Sequence, residues 1–511
     1  MLTLVLPTVV LGVLGAVLWL LGIVLLFCFP MIFDAVLYKE LPLENNSMVY
    51  NLWKDIPLPF YQKFYFFNVD NPSQFLDGAK LKLTQKGPYV YKSTWHKKDI
   101  TFYSNSTISY REVKTYHFVP ELSNGTEGDL ITTLNVPLLV AGGILKDASS
   151  LVRLIASIFF GLTQETLFIR RSVKQLTYGG YKDLLMEFAP LFNHKLPNMN
   201  GKFGYLYGKN ATDDGLFTVY TGKSGLSKFN VIDRVNGKQK LDIWNKPTCN
   251  MINGTNGELN PPLKYTPDKV SFFQPLLCRT WTLKYQKKSD HYGLNSHRYT
   301  IDPVVFANAT EEPSNSCYYP QKQFPYGVTG IAPCQYDAPA YLSAPHFYQA
   351  DPSYLEKIDG LKPDPNLHEF FMDIEPYTGI AVGISAKFQA NLYLSRINGV
   401  KQLMNVPEIM FPVFWQDLSL EYTKEYANML SSQVYDPIQY CTIGSYSLIS
   451  LGGALVVVTL LLLTCSYLRA KKALHRKNTD GPLITSPAES GKTESVGIVN
   501  PGLVEEPSSA A

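Results

Sequence analysis

The sequence is poor in charged residues and lacks the motifs that identify the common enzyme classes. Only 17% of its 511 residues are charged, and the net charge is +3. So small a charge gives no electrostatic basis for binding nucleic acid. The metalloprotease pattern HExxH, the serine-hydrolase pattern GxSxG and the dinucleotide-binding pattern GxGxxG are all absent. We therefore expect neither an enzyme nor a nucleic-acid-binding protein, and no cofactor or bound metal.

Charge is missing altogether from two long stretches, Met1–Phe33 and Pro437–Leu468. Each exceeds the about 20 apolar residues that a helix needs to cross a bilayer. A cleavable signal peptide is the alternative for the first stretch, but no basic residue precedes its apolar part and no small-residue cleavage site follows it. We predict an N-terminal segment 1–7, a membrane span 8–31, a domain 32–440, a second span 441–468 and a tail 469–511.

Basic residues follow the second span at once: Arg469, Lys471, Lys472, Arg476 and Lys477. By the positive-inside rule they place the tail in the cytosol. The N-terminus then lies in the cytosol as well, and domain 32–440 faces the outside or a lumen. The tail is too polar to fold alone, and Cys465 at its membrane boundary is open to palmitoylation.

Glycosylation sequons agree with this topology. Six Asn-x-Ser/Thr sequences lie between the two spans and none lies in the tail. Six on one side of the membrane indicate a glycosylated ectodomain. The expected sites are Asn45, Asn105, Asn124, Asn210, Asn253 and Asn308.

Cysteine is scarce, with seven residues in the whole chain. Four of them, Cys249, Cys278, Cys317 and Cys334, lie in domain 32–440, as expected for disulfides in an oxidising compartment. Four cysteines allow three pairings, and their spacing does not choose among them. A zinc site is the alternative, but no CxxC or CxxxH spacing supports it.

Alternation of apolar and polar residues predicts strands in this domain. It is clearest from Ile380 to Leu394, where residues such as Phe388 form an apolar face and residues such as Gln389 and Asn391 a polar one. This is typical of a half-buried antiparallel strand. Further strands are predicted at Gly215–Thr221, Thr280–Tyr285 and His297–Phe306. We expect one large β-rich domain.

A helical insertion at residues 140–192 interrupts the β pattern. Asp147 is placed to cap a helix, along which apolar residues recur at helical spacing: Leu151, Leu154, Ile155, Ile158, Phe159 and Leu162. Ser172 and Gln175 form a capping box, and another helix is predicted at Lys182–Phe188. The segment also has excess basic charge, carried by Lys146, Arg153, Arg170, Arg171 and Lys174.

This insertion has two interpretations. Its apolar face packs on the β domain while its charges face water, or the apolar and basic residues together dock an anionic, lipid-bearing partner. The residues alone favour the first interpretation.

Several blocks of sequence, in order, resemble the class B scavenger receptor family. They are WKDIP (Trp53–Pro57), FYFFNVDNP (Phe64–Pro72), KGPYVY (Lys86–Tyr91), CNMINGT (Cys249–Thr255), SAPHF (Ser343–Phe347) and DIEPYTG (Asp373–Gly379). The similarity extends from the first span to the second. The family includes a fatty-acid translocase, a high-density-lipoprotein receptor and a lysosomal integral membrane protein, and WKDIP and the tail length look closest to the lipoprotein-receptor branch.

The resemblance implies an α+β membrane protein, with a large antiparallel β-barrel-like ectodomain, an apical helical bundle at 140–192 and two transmembrane helices. It implies a cell-surface receptor for lipoproteins that passes cholesterol, cholesteryl ester, fatty acids or phospholipids through an apolar tunnel to the membrane. It also implies the pairings Cys278–Cys334 and Cys249–Cys317, and it favours the second interpretation of the insertion. The family's fatty-acid translocase has lysines near the apical turn, where this chain reads Gly161–Thr166 (GLTQET), so basic recognition would shift to Arg153, Arg170, Arg171 and Lys174.

Other functions remain alternatives. A lysosomal sorting receptor or cholesterol exporter of the same family is one, although the tail continues past Leu483 and Ile484 and so does not reproduce an acidic dileucine ending. A two-span ligand-gated channel is a remote one, because the second span is almost wholly apolar. Gly12 and Ala16, at small-xxx-small spacing, are consistent with a homo-oligomer.

Overall fold

The structure, a computed structural model, describes residues 2–479 apart from 46, 193–198, 266–267, 320–321 and 421. The described residues form two compact units, one drawn from the segments 1–27 and 441–511 and one from residues 28–440. The helices are α1 (Leu2–Glu40), α2 (Met48–Lys54), α3 (Pro72–Leu76), α4 (Val136–Leu145), α5 (Ser150–Leu162), α6 (Leu184–Phe192), α7 (Ser353–Glu356), α8 (Pro365–His368) and α9 (Lys424–Thr479).

The strands belong to the unit of residues 28–440. They are β1 (Phe60–Val69), β2 (Leu81–Phe102), β3 (Thr107–Phe118), β4 (Leu130–Leu134), β5 (Phe168–Ser172), β6 (Tyr181–Lys182), β7 (Lys202–Phe203), β8 (Thr212–Tyr220), β9 (Ile232–Val235), β10 (Lys269–Gln274), β11 (Arg279–His291), β12 (Leu294–Ile301), β13 (Val328–Gly330), β14 (Ala340–Ser343), β15 (Ile358–Asp359), β16 (Phe371–Ile374), β17 (Ala381–Leu394) and β18 (Ile409–Leu420).

One large antiparallel sheet has the order β10-β11-β12-β16-β17-β18-β1-β2-β3-β8-β9, with β14 added on β17 and β13 on β14. The segment around Gly254 and Thr255 lies between the two outer strands. The N–H of Ile232 on β9 donates to the carbonyl oxygen of Gly254 at 2.9 Å, and the N–H of Thr255 donates to that of Ser271 on β10 at 3.0 Å. A Cβ atom at Gly254 would overlap the Ser271 carbonyl, so glycine is required where the barrel closes.

Strand β17 was predicted in place, but the exposure of its polar face was predicted wrongly. Gln389 and Asn391 are buried, and both donate to the Ser343 hydroxyl on β14, at 3.2 and 3.0 Å. The backbone N–H of His346 donates to Gln389 Oε1 at 2.6 Å. A second layer of chain therefore covers the polar face, while the apolar face of Phe388 lines a cavity.

The other predicted strands exist with shifted ends. The strand predicted at Gly215–Thr221 is β8, and that at Thr280–Tyr285 is the longer β11. The strand predicted at His297–Phe306 stops earlier, because β12 ends at Ile301 and a 3-10 turn follows at Pro303–Val305. Proline has no N–H to donate to a neighbouring strand, and the Asp302 carboxylate accepts from the N–H of Val304 instead.

The helical insertion begins earlier and is less helical than predicted. Helix α4 starts at Val136, where Asn135 Oδ1 caps it by accepting from the N–H of Leu138. Helix α5 is capped by Ser149 rather than by Asp147, because Ser149 Oγ accepts from the N–H of Val152. Arg170 and Arg171 lie in a strand, β5, which pairs with β4.

One local prediction in the insertion is confirmed, and a second differs only in where the helix begins. Ser172 and Gln175 form the reciprocal capping-box bonds, at 3.0 and 3.3 Å. The helix predicted at Lys182–Phe188 is α6, which begins two residues later. Asp183 caps it by accepting from the N–H of Leu185 at 2.9 Å.

Both long helices extend beyond the predicted spans 8–31 and 441–468. They contain candidate membrane spans at Leu6–Glu40 and Lys424–Arg476. Their outer ends pack in the unit of residues 28–440, Leu37 and Tyr38 against one apolar cluster and Leu430 against another. Because these helix ends pack against apolar side chains of the domain, each helix continues beyond its membrane-spanning stretch.

Within the unit of residues 1–27 and 441–511, the two spans pack against each other through glycines of α1. A Cβ atom at Gly12 would meet Thr459 at 2.7 Å, one at Gly15 would meet Leu455 at 2.8 Å, and one at Gly22 would meet Ile449 at 2.8 Å. Small residues let helix backbones approach closely in a membrane. The glycine face of α1 is therefore occupied by the chain's own second span.

Candidate functional site

A cavity of about 1430 Å³ lies within the unit of residues 28–440. It exceeds the roughly 300–1,000 Å³ of common small-molecule sites. Its walls come from helices α4 to α6, from the inner face of β17 and β18, and from two short turns at Pro275–Leu277 and Ala332–Gln335. The lining is mainly apolar, with side chains such as Val140, Phe159, Phe388 and Phe414.

Helix α5 forms one wall through residues on one side only. Phe160 is its buried anchor, at 3% exposure. Phe159, next to it, lines the cavity and packs edge-to-face on Phe188 of α6, with the ring centroids 5.9 Å apart. Ile155, one turn earlier, also lines the cavity.

Most of the predicted apolar stripe of α5 is exposed rather than packed on the β domain. Leu151, Leu154, Ile158 and Leu162 are between 54% and 79% exposed. The favoured interpretation from the residues alone was therefore wrong. Phe159 of that stripe packs against the main core beside Ala156 and Phe160, which lie outside the stripe, so the helix is rotated about its axis relative to that prediction. A contiguous exposed apolar patch marks an interaction surface in soluble domains.

The predicted basic residues have different surroundings. Lys146 and Arg170 are exposed. Arg153 donates to the Lys146 carbonyl at 3.1 Å and to Ser150 Oγ at 3.3 Å. The guanidinium of Arg171 lies 4.6 Å from the centre of the Tyr181 ring. Lys174 borders a separate cavity of about 290 Å³. The basic set is thus dispersed, and Arg153 holds the turn between α4 and α5.

A segment that the sequence did not single out supports both helices. Residues 395–408, between β17 and β18, bury Ile397, Val400 and Leu403 in the main core. The N–H of Lys401 donates to Ser157 Oγ on α5 at 2.9 Å. No local pattern indicates this contact, because its partners lie 244 residues apart.

Both disulfides implied by the resemblance are present. Cys278 is joined to Cys334, and Cys249 to Cys317. The first joins the two short turns in the cavity wall, and both its cysteines line the cavity. In the second, Cys317 precedes the buried Tyr318, whose ring packs edge-to-face on that of the buried Trp244 with centroids 4.7 Å apart.

The hydrogen bonds of the buried histidines give them a structural role. His346 and His368 stack with ring centroids 4.3 Å apart, and each accepts a backbone N–H at Nδ1, from Lys362 and Asp364. Burial lowers the pKa of His346 to about 3 and that of His368 to about 4, so both are neutral at physiological pH. Within the described residues, no group of three His, Cys, Asp or Glu side chains is placed to hold a metal.

The sequon asparagines lie at the surface of the unit of residues 28–440. Asn45, Asn105, Asn124, Asn210 and Asn253 are exposed, and Asn308 is half-buried. Their positions are compatible with glycans, and glycosylation itself stays a prediction.

Comparison with known proteins identifies the family. The CD36 family profile matches residues 13–463, which is most of the chain. The chain belongs to the CD36 family. The resemblance seen in the sequence blocks is thereby confirmed, and with it the α+β fold of a large antiparallel sheet between two apolar helices.

Relatives from two branches of the CD36 family are similar over nearly their whole length. Scavenger receptor class B member 1 of Cricetulus griseus is 35% identical over 88% of this chain and 87% of its own. That of Bos taurus is 33% identical over 89% of both chains. Lysosome membrane protein 2 of Mus musculus is 35% identical over 78% of this chain and 83% of its own. This CD36 family chain is accordingly a membrane protein of the class B scavenger receptor type.

Proposed function

We propose that the protein is a cell-surface receptor that binds lipoproteins or other anionic, lipid-bearing particles at its helical insertion. It passes their cholesteryl ester, cholesterol or fatty acid through the cavity to the membrane. Both termini lie in the cytosol and the domain between the spans is glycosylated. The observation that carries the proposal is the continuity of α5: exposed apolar residues such as Leu154 and Ile158 adjoin Ile155, which is itself 58% exposed and lines the cavity together with Phe159.

This arrangement lowers the main barrier to lipid transfer. Apolar surface that leaves a particle for water costs about 25 cal/mol per Å², which for a whole lipid far exceeds thermal energy. A surface that contacts the particle and leads directly into an apolar cavity avoids that exposure. Transfer then runs down a concentration gradient, and no catalytic group takes part.

The stripe on α5 provides the test. Ile158→Glu puts a charge on a side chain that is 56% exposed, so folding should be unaffected. Leu367→Glu is the matched control, because Leu367 is 60% exposed and lies outside the insertion. In cells lacking such receptors, uptake of labelled cholesteryl ester from lipoproteins should fall about tenfold for Ile158→Glu, since burying one Ile contributes roughly 1.5–3 kcal/mol.

The control should transport lipid like the wild type at equal surface expression. Equal uptake by both variants would contradict the proposal, as would a wild-type protein at the surface that takes up no lipid. A lysosomal receptor or exporter of the CD36 family is the second candidate, supported by the similarity to lysosome membrane protein 2. Residence of the untagged protein in lysosomes, reversed by changing Leu483 and Ile484, would favour it. Those two residues lie outside the described part of the chain.

A further inference from the structure

The charged side chains that line the cavity lie along one stretch of its rim. Among the described residues that line the cavity, the charged side chains are Lys209 and Asp213. Lys209 lies just before β8, and Asp213 is the second residue of that strand. Tyr205 and Tyr207 line the cavity directly before them. The rim thus brings one ammonium group and one carboxylate to the border of an otherwise uncharged cavity.

The carboxylate of this pair is already neutralised from its other side. Asp213 Oδ1 accepts from Arg111 Nη1 at 2.9 Å and from the N–H of Gly215 at 2.8 Å. Its charge and its hydrogen-bonding capacity are therefore directed at the protein.

The ammonium group has only a shared partner. Lys209 Nζ lies 3.5 Å from Asp214 Oδ1, at the limit of a hydrogen bond, while Lys114 Nζ lies 3.2 Å from Asp214 Oδ2. Lys114 Nζ also lies 3.3 Å from Glu112 Oε2. Lys209 thus shares Asp214 with a second lysine, and its side chain is 41% exposed. A second cation, Lys202, lies 5.6 Å from the centre of the Tyr207 ring. This part of the rim therefore has positive charge that an anionic ligand can balance.

We propose that Lys209 binds the carboxylate head of a single-chain lipid, a fatty acid, whose hydrocarbon tail lies in the cavity. The inference rests on the proposed function in one respect, that lipid occupies the cavity. It assigns the head-group end to the rim at residues 205–213 rather than to the turn after α5, where Gly161–Thr166 has no lysine. An amphiphile matches such a site because its charged end stays at the wetted rim while its tail is buried.

Photocrosslinking of the full-length glycoprotein in phosphatidylcholine nanodiscs tests this. The probes are an oleate analogue with a diazirine in mid-chain and its methyl ester, which has the same tail and no charge. Cross-linked peptides are quantified by mass spectrometry. The variants are Lys209→Gln, Lys209→Arg, and Lys223→Gln as a control for an exposed lysine paired with Glu44 elsewhere. None of these changes alters the sequon at Asn210.

Lys209→Gln should reduce labelling of cavity residues by the acid about tenfold, as expected for loss of a charged hydrogen bond. Labelling by the ester should stay the same. Lys209→Arg should restore labelling by the acid, and Lys223→Gln should match the wild type. Unchanged labelling by the acid in Lys209→Gln, or an equal loss for acid and ester, would overturn the inference while leaving the cavity a lipid site. Failure of both probes to label the wild-type cavity would overturn the proposed function and this inference with it.

Discussion

Gly142 of helix α4 lies directly against the side chain of Leu403, with no space between them for a Cβ atom. Its neighbour Gly143 has no atom within 4 Å of the same position. The two glycines share one helix and differ in this contact, so they form a matched pair.

Gly142→Ala should destabilise the insertion by about 1–3 kcal/mol, as over-packing does. Gly143→Ala should stabilise the helix by up to about 1 kcal/mol, because alanine is the better helix former. Hydrogen exchange of the α4 and α5 amides measures both effects locally. Adding Leu403→Ala to Gly142→Ala should recover part of the loss. Equal exchange in the two glycine variants would mean that residues 395–408 do not support α4.

Substituting the two carboxylates of a buried ion cluster in the barrel should have different effects on stability. Lys97, fully buried, lies 2.7 Å from both Glu112 and Glu258. Burial, and next the charge of Glu112, raises the pKa of Glu258 to about 8. Burial acts on Glu112 too, but Lys97 and Lys114 hold its pKa below the ordinary value. Glu258 therefore holds the proton at neutral pH.

Glu112→Gln removes a charge that keeps Glu258 protonated, so Glu258 should ionise in its place beside Lys97. The cost should therefore stay below the about 3–5 kcal/mol of a broken buried ion pair. Glu258→Gln replaces an uncharged acid and should be nearly neutral at pH 5. Because the pKa of Glu258 is higher in the folded state, its stabilising effect is present at low pH and is lost as pH rises towards 8. Thermal unfolding should thus show Glu258→Gln gaining on the wild type between pH 5 and pH 8. Parallel curves across this range would contradict the protonation assigned to Glu258.

The close contact between the two spans predicts that a bulky side chain at position 15 destabilises their packing. Gly15→Leu should clash with Leu455 and the Gly452 carbonyl and destabilise the span pair by about 1–3 kcal/mol. Gly444→Leu is the control, since Gly444 has no neighbour within 4 Å. Thermal unfolding in detergent compares them. A change of oligomeric state without a change of unfolding temperature would assign the glycine face of α1 to contacts between copies.

The two disulfides should contribute similarly to the stability of the protein but differently to lipid transfer. They enclose loops of similar length, 68 residues for Cys249–Cys317 and 56 for Cys278–Cys334, so removal of either should cost about 4 kcal/mol. Only Cys278 and Cys334 line the cavity. The double serine variant of that pair should therefore reduce lipid transfer per surface molecule further than the other. Equal transfer by the two variants would show that the disulfide wall has no part in transport.

Local features that depend on near neighbours were predictable. The capping box of Ser172 and Gln175 needs only residues three apart, and the strand at 381–394 follows from its alternation. The α5 stripe was recognised as helical, but the rotation of the helix about its axis was not, because it depends on Ser157 meeting Lys401 from a distant loop. Likewise the burial of Gln389 and Asn391 depends on their contact with Ser343, which the alternation of apolar and polar residues does not predict.

The sequence by itself determined the class of protein: two uncharged stretches long enough to cross a membrane, six sequons between them, and blocks that identify the CD36 family. These are properties of composition, length and local order, which do not depend on how the chain folds back on itself. Only the tertiary structure decided that the α5 stripe is exposed, that Phe388 faces a cavity, and that Lys209 borders it. Each of these depends on contacts between residues far apart in the chain, where packing and burial assign a side chain its surroundings.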